Sequence, residues 1–260
     1  MPPALHVVRA GSGPRILMIH GSATDHATWS IQLSGPLKDR FTLIAYDRRT
    51  DAPSVEAHAD DAIALLSDDP TPALVIGSSF GAVVALEAIR RNPGAFRGAV
   101  LIEPPMAPVD DAPAPVREFL ATYDRALETE GGPAAAELFL RMVLGDATYE
   151  RMPRAYQERS KALWAEIRAD SHALLAYRPR YAELASVRTP VQLVGGARSS
   201  AYFRPTLDRL FSSLPDARLE VIAGAGHMLH AEAHRRFAEV VQAFAASLAK
   251  SGVVSQGARP

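Results

Sequence analysis

Three short runs carry the residues best suited to chemistry. In the first, Gly77-Ser78-Ser79-Phe80-Gly81 follows an apolar stretch at 73–76 and precedes a helical pattern at 82–91. A serine with glycine two residues to either side, between strand and helix, fits a sharp turn that lifts its hydroxyl clear of the backbone. The helix start adds a partial positive charge. Ser78 fills the first variable position of this pattern, so Ser79 is the candidate nucleophile. In the second run, His20-Gly21-Ser22 ends the stretch at 16–19. Backbone N–H groups there, at Gly21 and Ser22, would join the N–H of Phe80 in stabilising a developing oxyanion. His20 itself reads as a partly buried prop for the loop. In the third, Ala223-Gly224-Ala225-Gly226-His227-Met228 follows the stretch at 219–222. A glycine-rich loop after the last strand can hang the His227 imidazole over the same sheet edge. There it takes the proton of a serine hydroxyl and returns it to a leaving group. His6, His26, His58, His172, His230 and His234 lack such a setting and are assigned to surface or lid. His230 and His234 share a helical face, but no carboxylate pattern beside them makes a metal site.

These runs must be positioned by regular elements. Short stretches rich in Val, Ile and Leu recur at 5–8, 16–19, 41–46, 73–76, 99–102, 191–194 and 219–222. Most are continuous rather than alternating, as strands covered on both faces of a parallel sheet require. Helical patterns lie between them at 55–66, 82–91, 203–214 and 232–249; in the last, Phe237, Val240, Val241, Phe244 and Leu248 share one face. Strands alternating with helices predict an α/β architecture with a doubly wound, mostly parallel sheet. Stretches 5–8 and 15–19 read as a hairpin leading into it. Residues 105–186 open with a proline-rich stretch and continue with helical patterns at 116–130, 134–144 and 155–175, with no strand. They are expected to form a helical lid inserted between two parts of a core domain, 1–104 and 187–249, with 250–260 as a flexible tail.

Composition narrows the partners. The 260 residues include 28 Lys and Arg against 29 Asp and Glu, so there is no charge imbalance that would attract nucleic acid or an acidic membrane. Cysteine is absent, which excludes disulfides, thiolate metal sites and cysteine nucleophiles. The first residues, Met1-Pro2-Pro3-Ala4-Leu5-His6, carry no basic segment followed by an apolar run, and a cytoplasmic protein is expected. No cofactor is called for.

With His20-Gly21, Gly77-Ser78-Ser79-Phe80-Gly81 and Gly226-His227 in this order, the chain resembles an α/β-hydrolase-fold enzyme over residues 5–248. The resemblance implies a Ser-acid-His triad, but with two departures. Most members carry an aspartate just after the strand that here is 191–194, whereas Gly195-Gly196-Ala197-Arg198-Ser199-Ser200 holds no carboxylate, and Asp208 lies too far along a helix. Glu103, at the end of 99–102, offers a substitute. Haloalkane dehalogenases and zearalenone lactonases place a glutamate at the matching strand end, and strands only ~4.8 Å apart let that carboxylate reach the far nitrogen of His227. The second departure follows Asp47-Arg48-Arg49, where Thr50-Asp51-Ala52-Pro53 replaces the small glycine-rich loop of many relatives. Ser79 in place of an aspartate nucleophile argues against dehalogenase and epoxide-hydrolase chemistry. The expectation is hydrolysis of a small, moderately apolar carboxylic ester or lactone, leaning to lactones by that analogy. Carbon–carbon bond hydrolysis, thioester hydrolysis and perhydrolysis use the same constellation, and a ligand-binding protein with lost catalysis is the alternative class. Met106, Met228, Trp164 and Tyr123 are the candidate substrate contacts, drawn from the acid strand, the histidine loop and the lid aromatics. The oligomeric state is left open.

Overall fold

The computed structural model describes residues 5–107, 114–177 and 181–256. Seven strands form one sheet: β1 (Val7–Ala10), β2 (Arg15–Ile19), β3 (Thr42–Tyr46), β4 (Ala73–Ser78), β5 (Phe96–Ile102), β6 (Val191–Gly196) and β7 (Ala217–Ile222). Their spatial order is β1-β3-β2-β4-β5-β6-β7. All neighbours are parallel except β1, which runs antiparallel to β3 with Val7 opposite Tyr46. This is the expected α/β-hydrolase architecture.

The hairpin expected from 5–8 and 15–19 does not form. β2 is hydrogen-bonded by β3 on one edge and β4 on the other, which leaves β1 only the outer edge of β3. A strand as apolar as β2 belongs in the sheet interior, where both edges are paired.

The pleat sorts β2 between two cores. Leu17 and Ile19 face one core with Val83 and Leu86, while Ile16 and Met18 face the other with Trp29, Phe237, Val241 and Phe244. The first face is covered by α2 (Val55–Ala64), α3 (Phe80–Arg91) and α9 (Phe203–Ser213). The second is covered by α1 (Ser30–Ser34), α10 (Leu229–Glu232) and α11 (His234–Gln256). The last helix starts after Ala233 and continues to Gln256, so the expected tail begins inside it; residues 257–260 lie outside the described residues.

Between β5 and β6 stand α4 (Ala114–Glu130), α5 (Gly132–Leu144), α6 (Asp146–Arg151), α7 (Arg154–Ala162) and α8 (Trp164–Ala176). The single pattern expected at 155–175 divides at Leu163 into α7 and α8. These helices bury a core of their own, made by Tyr123, Ala135, Ala136, Leu140, Tyr149 and Ile167. Pro108 and Pro113 of the proline-rich stretch lie outside the described residues. Among the described residues no helix is long and apolar enough to cross a membrane.

Candidate active site

Ser79 sits between β4 and α3 with φ 53° and ψ −123°, a left-handed backbone that L-residues rarely adopt. Its N–H donates to the Ile102 carbonyl at 2.8 Å, which ties the turn to the neighbouring strand. The flanking glycines are required by space. A Cβ on Gly77 would lie 2.2 Å from the Gly81 carbonyl oxygen, and one on Gly81 would lie 2.3 Å from that of Ile19. Helix and strand can therefore close on each other only with glycine at both positions, and this closure holds the serine at the tip.

His227 is 5% exposed, and its Nδ1 lies 2.6 Å from Glu103 Oε2. Glu103 is 1% exposed, and its other oxygen accepts the Gly196 N–H at 2.7 Å. The strand end that lacks a carboxylate thus supplies a donor to the carboxylate of the next strand. Asp208 pairs with Arg204 on the surface instead. Glu103 also has a left-handed backbone, φ 43°, and its N–H donates to Val194. The imidazole is stacked on Phe203, with centroids 4.3 Å apart and planes inclined by 11°. The sequence reading missed Phe203; its position at the start of α9, just past the strand-end glycines, was the available signal.

Phe80 opens α3, so its N–H has no acceptor within the helix. Gly21 and Ser22 follow β2 and line the same cavity as Ser79 and His227. His20 is 1% exposed; its Nε2 accepts the Arg48 N–H at 3.0 Å, which leaves Nδ1 to donate to the Gly21 carbonyl at 2.8 Å. Burial and the Arg48 charge hold its pKa well below the usual range, so it stays neutral. His58 and His230 are also buried, not on the surface or in the lid as expected. His58 packs against Phe80, and His230 against Trp29.

Two cavities meet at the serine. One of about 580 Å³ is lined by His227, Met228, Leu140, Leu144 and Tyr156, among others. The second, about 540 Å³, runs past Phe119, Leu138, Leu174, Tyr202 and Phe203. Ser22, Ser79, Phe139 and Val143 line both. Of the expected substrate contacts, Met228 lines the first cavity. Met106, Trp164 and Tyr123 line neither cavity. Met106 is 3% exposed and packs into the sheet-side core. Tyr123 is fully buried, and its hydroxyl donates to the Trp164 carbonyl at 2.7 Å. The Trp164 ring covers Gly132, where a Cβ would lie 2.6 Å from it. A lid of short helices must first fill its own core, and its largest aromatics are used there. α5 supplies cavity wall through Phe139, Leu140 and Val143, of which Phe139 and Leu140 also pack in the lid's own core.

The family model of the alpha/beta hydrolase family matches residues 16–240, and the chain belongs to that family. It is a hydrolase. A pimeloyl-[acyl-carrier protein] methyl ester esterase from Aromatoleum aromaticum is 32% identical over 235 residues, covering 82% of this chain and 91% of that protein. An uncharacterized hydrolase, YraK, from Bacillus subtilis is 37% identical over 100 residues, and the polyketide synthase ThaQ from Burkholderia thailandensis is 28% identical over 258. The matches cover 34% and 92% of this chain but only 36% and 12% of those two proteins. Among solved structures, a thermophilic esterase from Thermogutta terrifontis superposes with a TM-score of 0.79 at 21% identity, covering 94% of this chain and 93% of that one.

Proposed function

We propose that the protein hydrolyses a small, moderately apolar carboxylic ester or lactone through an acyl-enzyme, with Ser79 as nucleophile, His227 as base and Glu103 as the orienting acid. The observation that carries this reading is the 2.6 Å contact between Glu103 and His227 Nδ1, beside a cavity that also holds Ser79. A carboxylate on Nδ1 keeps the proton there and leaves the Nε2 lone pair for the serine. Ser79 Oγ then attacks the carbonyl carbon while its proton passes to Nε2. The oxyanion takes the N–H groups of Phe80 and of Ser22 or Gly21. Collapse expels the alkoxide, which receives the Nε2 proton, and water repeats the sequence on the acyl-enzyme. Largely apolar walls on both sides of Ser79 suit a substrate with one arm in each cavity. The relative named as a methyl ester esterase supports the ester reading, and a lactone is an ester closed on itself.

The test compares wild type with Ser79→Ala on short and medium p-nitrophenyl esters, simple lactones and a resorcylic macrolactone. Turnover by wild type alone is expected. Equal rates from both proteins would remove Ser79 from the chemistry, and the preferred member of the panel separates ester from lactone.

A further inference from the structure

Arg48 follows β3, is 7% exposed, and has every guanidinium N–H engaged. Nε donates to the His20 carbonyl at 3.2 Å. Nη2 donates to the Gly21 carbonyl at 3.2 Å and to Asp170 Oδ2 at 2.7 Å. Nη1 donates to Asp170 Oδ1 at 2.9 Å and lies 3.3 Å from Nε2 of the neutral His58. The same guanidinium lies 4.6 Å from the Phe80 ring centroid. Asp170, on lid helix α8 and 4% exposed, also accepts the Ser22 hydroxyl at 2.6 Å.

We infer that Arg48 and Asp170 are positioning residues for the oxyanion hole, through which the lid helix sets the aim of the Gly21 and Ser22 N–H groups. In a trans peptide the carbonyl and the following N–H point in opposite directions. Holding the His20 and Gly21 carbonyls on the guanidinium therefore turns the Gly21 and Ser22 N–H groups to the opposite side, and these two residues line the serine cavity. The guanidinium charge also polarises both peptides, which strengthens the N–H groups as donors. Its contact with Phe80 braces the residue that supplies the other donor. Lid attachment alone does not call for this arrangement, because an apolar pair of equal volume holds two buried elements together at least as well as an ion pair.

The inference rests on the Ser79 reading, so Ser79→Ala is run alongside. Arg48→Met and the double variant Arg48→Met/Asp170→Leu are compared with wild type for Tm, for kcat and KM on the best ester, and for the inhibition constant of an alkylboronic acid, whose tetrahedral adduct on serine mimics the oxyanion. One missing oxyanion donor costs about 10²–10³ in kcat, and a misaimed one is expected to cost about 10–100-fold. Boronate affinity should fall by a similar factor with KM within about threefold. Asp170→Asn, which keeps the shape, should lose kcat in the same direction and serves if Arg48→Met does not fold. The double variant removes the stranded charge, so its Tm should recover while its kcat stays low. A double variant with wild-type kcat, or a kcat loss without loss of boronate affinity, overturns the inference. An active Ser79→Ala overturns the reading beneath it instead.

Discussion

Glu103→Gln tests the proposed triad at its most informative bond. The substitution keeps the size of the side chain and replaces one carboxylate oxygen by NH₂. In the native site one oxygen accepts the Gly196 N–H at 2.7 Å and the other faces His227 Nδ1 at 2.6 Å. Glutamine can satisfy Gly196 only with its carbonyl oxygen, which turns its NH₂ toward Nδ1. Nδ1 must then be the bare nitrogen, and the proton moves to Nε2. An imidazole protonated on Nε2 cannot take the serine proton. Fixing the wrong tautomer costs on the order of 10⁴ in kcat, or about 5.5 kcal/mol of transition-state stabilisation. Both hydrogen bonds survive in the variant and no cavity opens, so stability should change by no more than about 1 kcal/mol. KM should hold, because Glu103 is buried beneath the imidazole and lines neither cavity. The assay is steady-state turnover of the preferred ester from pH 6 to 9, with urea unfolding as the stability control. A variant that retains more than a tenth of wild-type kcat would refute the argument and take the carboxylate out of catalysis.

Other outcomes follow from the same geometry. Tyr123→Phe removes the hydrogen bond to the Trp164 carbonyl and should cost about 1 kcal/mol in urea unfolding with KM unchanged; a fivefold rise in KM would return Tyr123 to the substrate. Burial raises the Glu166 carboxyl from 4.5 to about 6 against the pull of Arg48. The native state therefore binds more protons than the unfolded chain, and stability falls as pH rises from 4.5 to 6. The full shift is worth about 2 kcal/mol, and about half of that once solvent screening of this half-buried group is allowed for. Glu166→Gln should then gain about 1 kcal/mol at pH 8 and nothing at pH 4, and equal effects at both would refute it. Burial, with the nearby His227, lowers His230 to about 3, and burial with Arg48 does the same for His58. Here the unfolded chain binds the extra protons, so stability falls as pH drops below 6.5, by about 2 kcal/mol for each histidine at pH 5. The stability gap between wild type and His230→Gln should narrow by that amount from pH 7.5 to 5, and an unchanged gap would mean His230 is not buried and neutral.

The strands were legible because both-face burial demands unbroken runs of Val, Ile and Leu, and the Ser79 turn because close backbone approach demands Gly77 and Gly81. Glu103 could be picked out as the candidate acid because the more common position, residues 195–200, holds no carboxylate. What stayed hidden depends on contacts between distant parts of the chain. Nothing near β1 signals that β3 will separate it from β2. Phe203 lies beneath His227, and Asp170 reaches Arg48, only after the lid and sheet have packed. Tyr123 and Trp164 mark amphipathic lid helices, but an amphipathic helix with two neighbours does not say which face meets which. Here Tyr123 and Trp164 turned inward to the lid's own core, while Phe139, Leu140 and Val143 of α5 reach the cavities.

Three non-glycine residues have a left-handed backbone: Ala23, Ser79 and Glu103 among the described residues. Each such conformation costs on the order of 1–3 kcal/mol, and all three belong to the site or the loop that frames it. At Ala23, glycine would relax the backbone and remove only a methyl group. At Ser79 and Glu103 the same relaxation deletes the hydroxyl and the carboxylate. Selection for heat resistance alone would therefore find Ala23 a harmless position to change and Ser79 a tempting one. A library sorted by melting temperature, with no screen for turnover, would drift toward a sturdier protein without the proposed nucleophile.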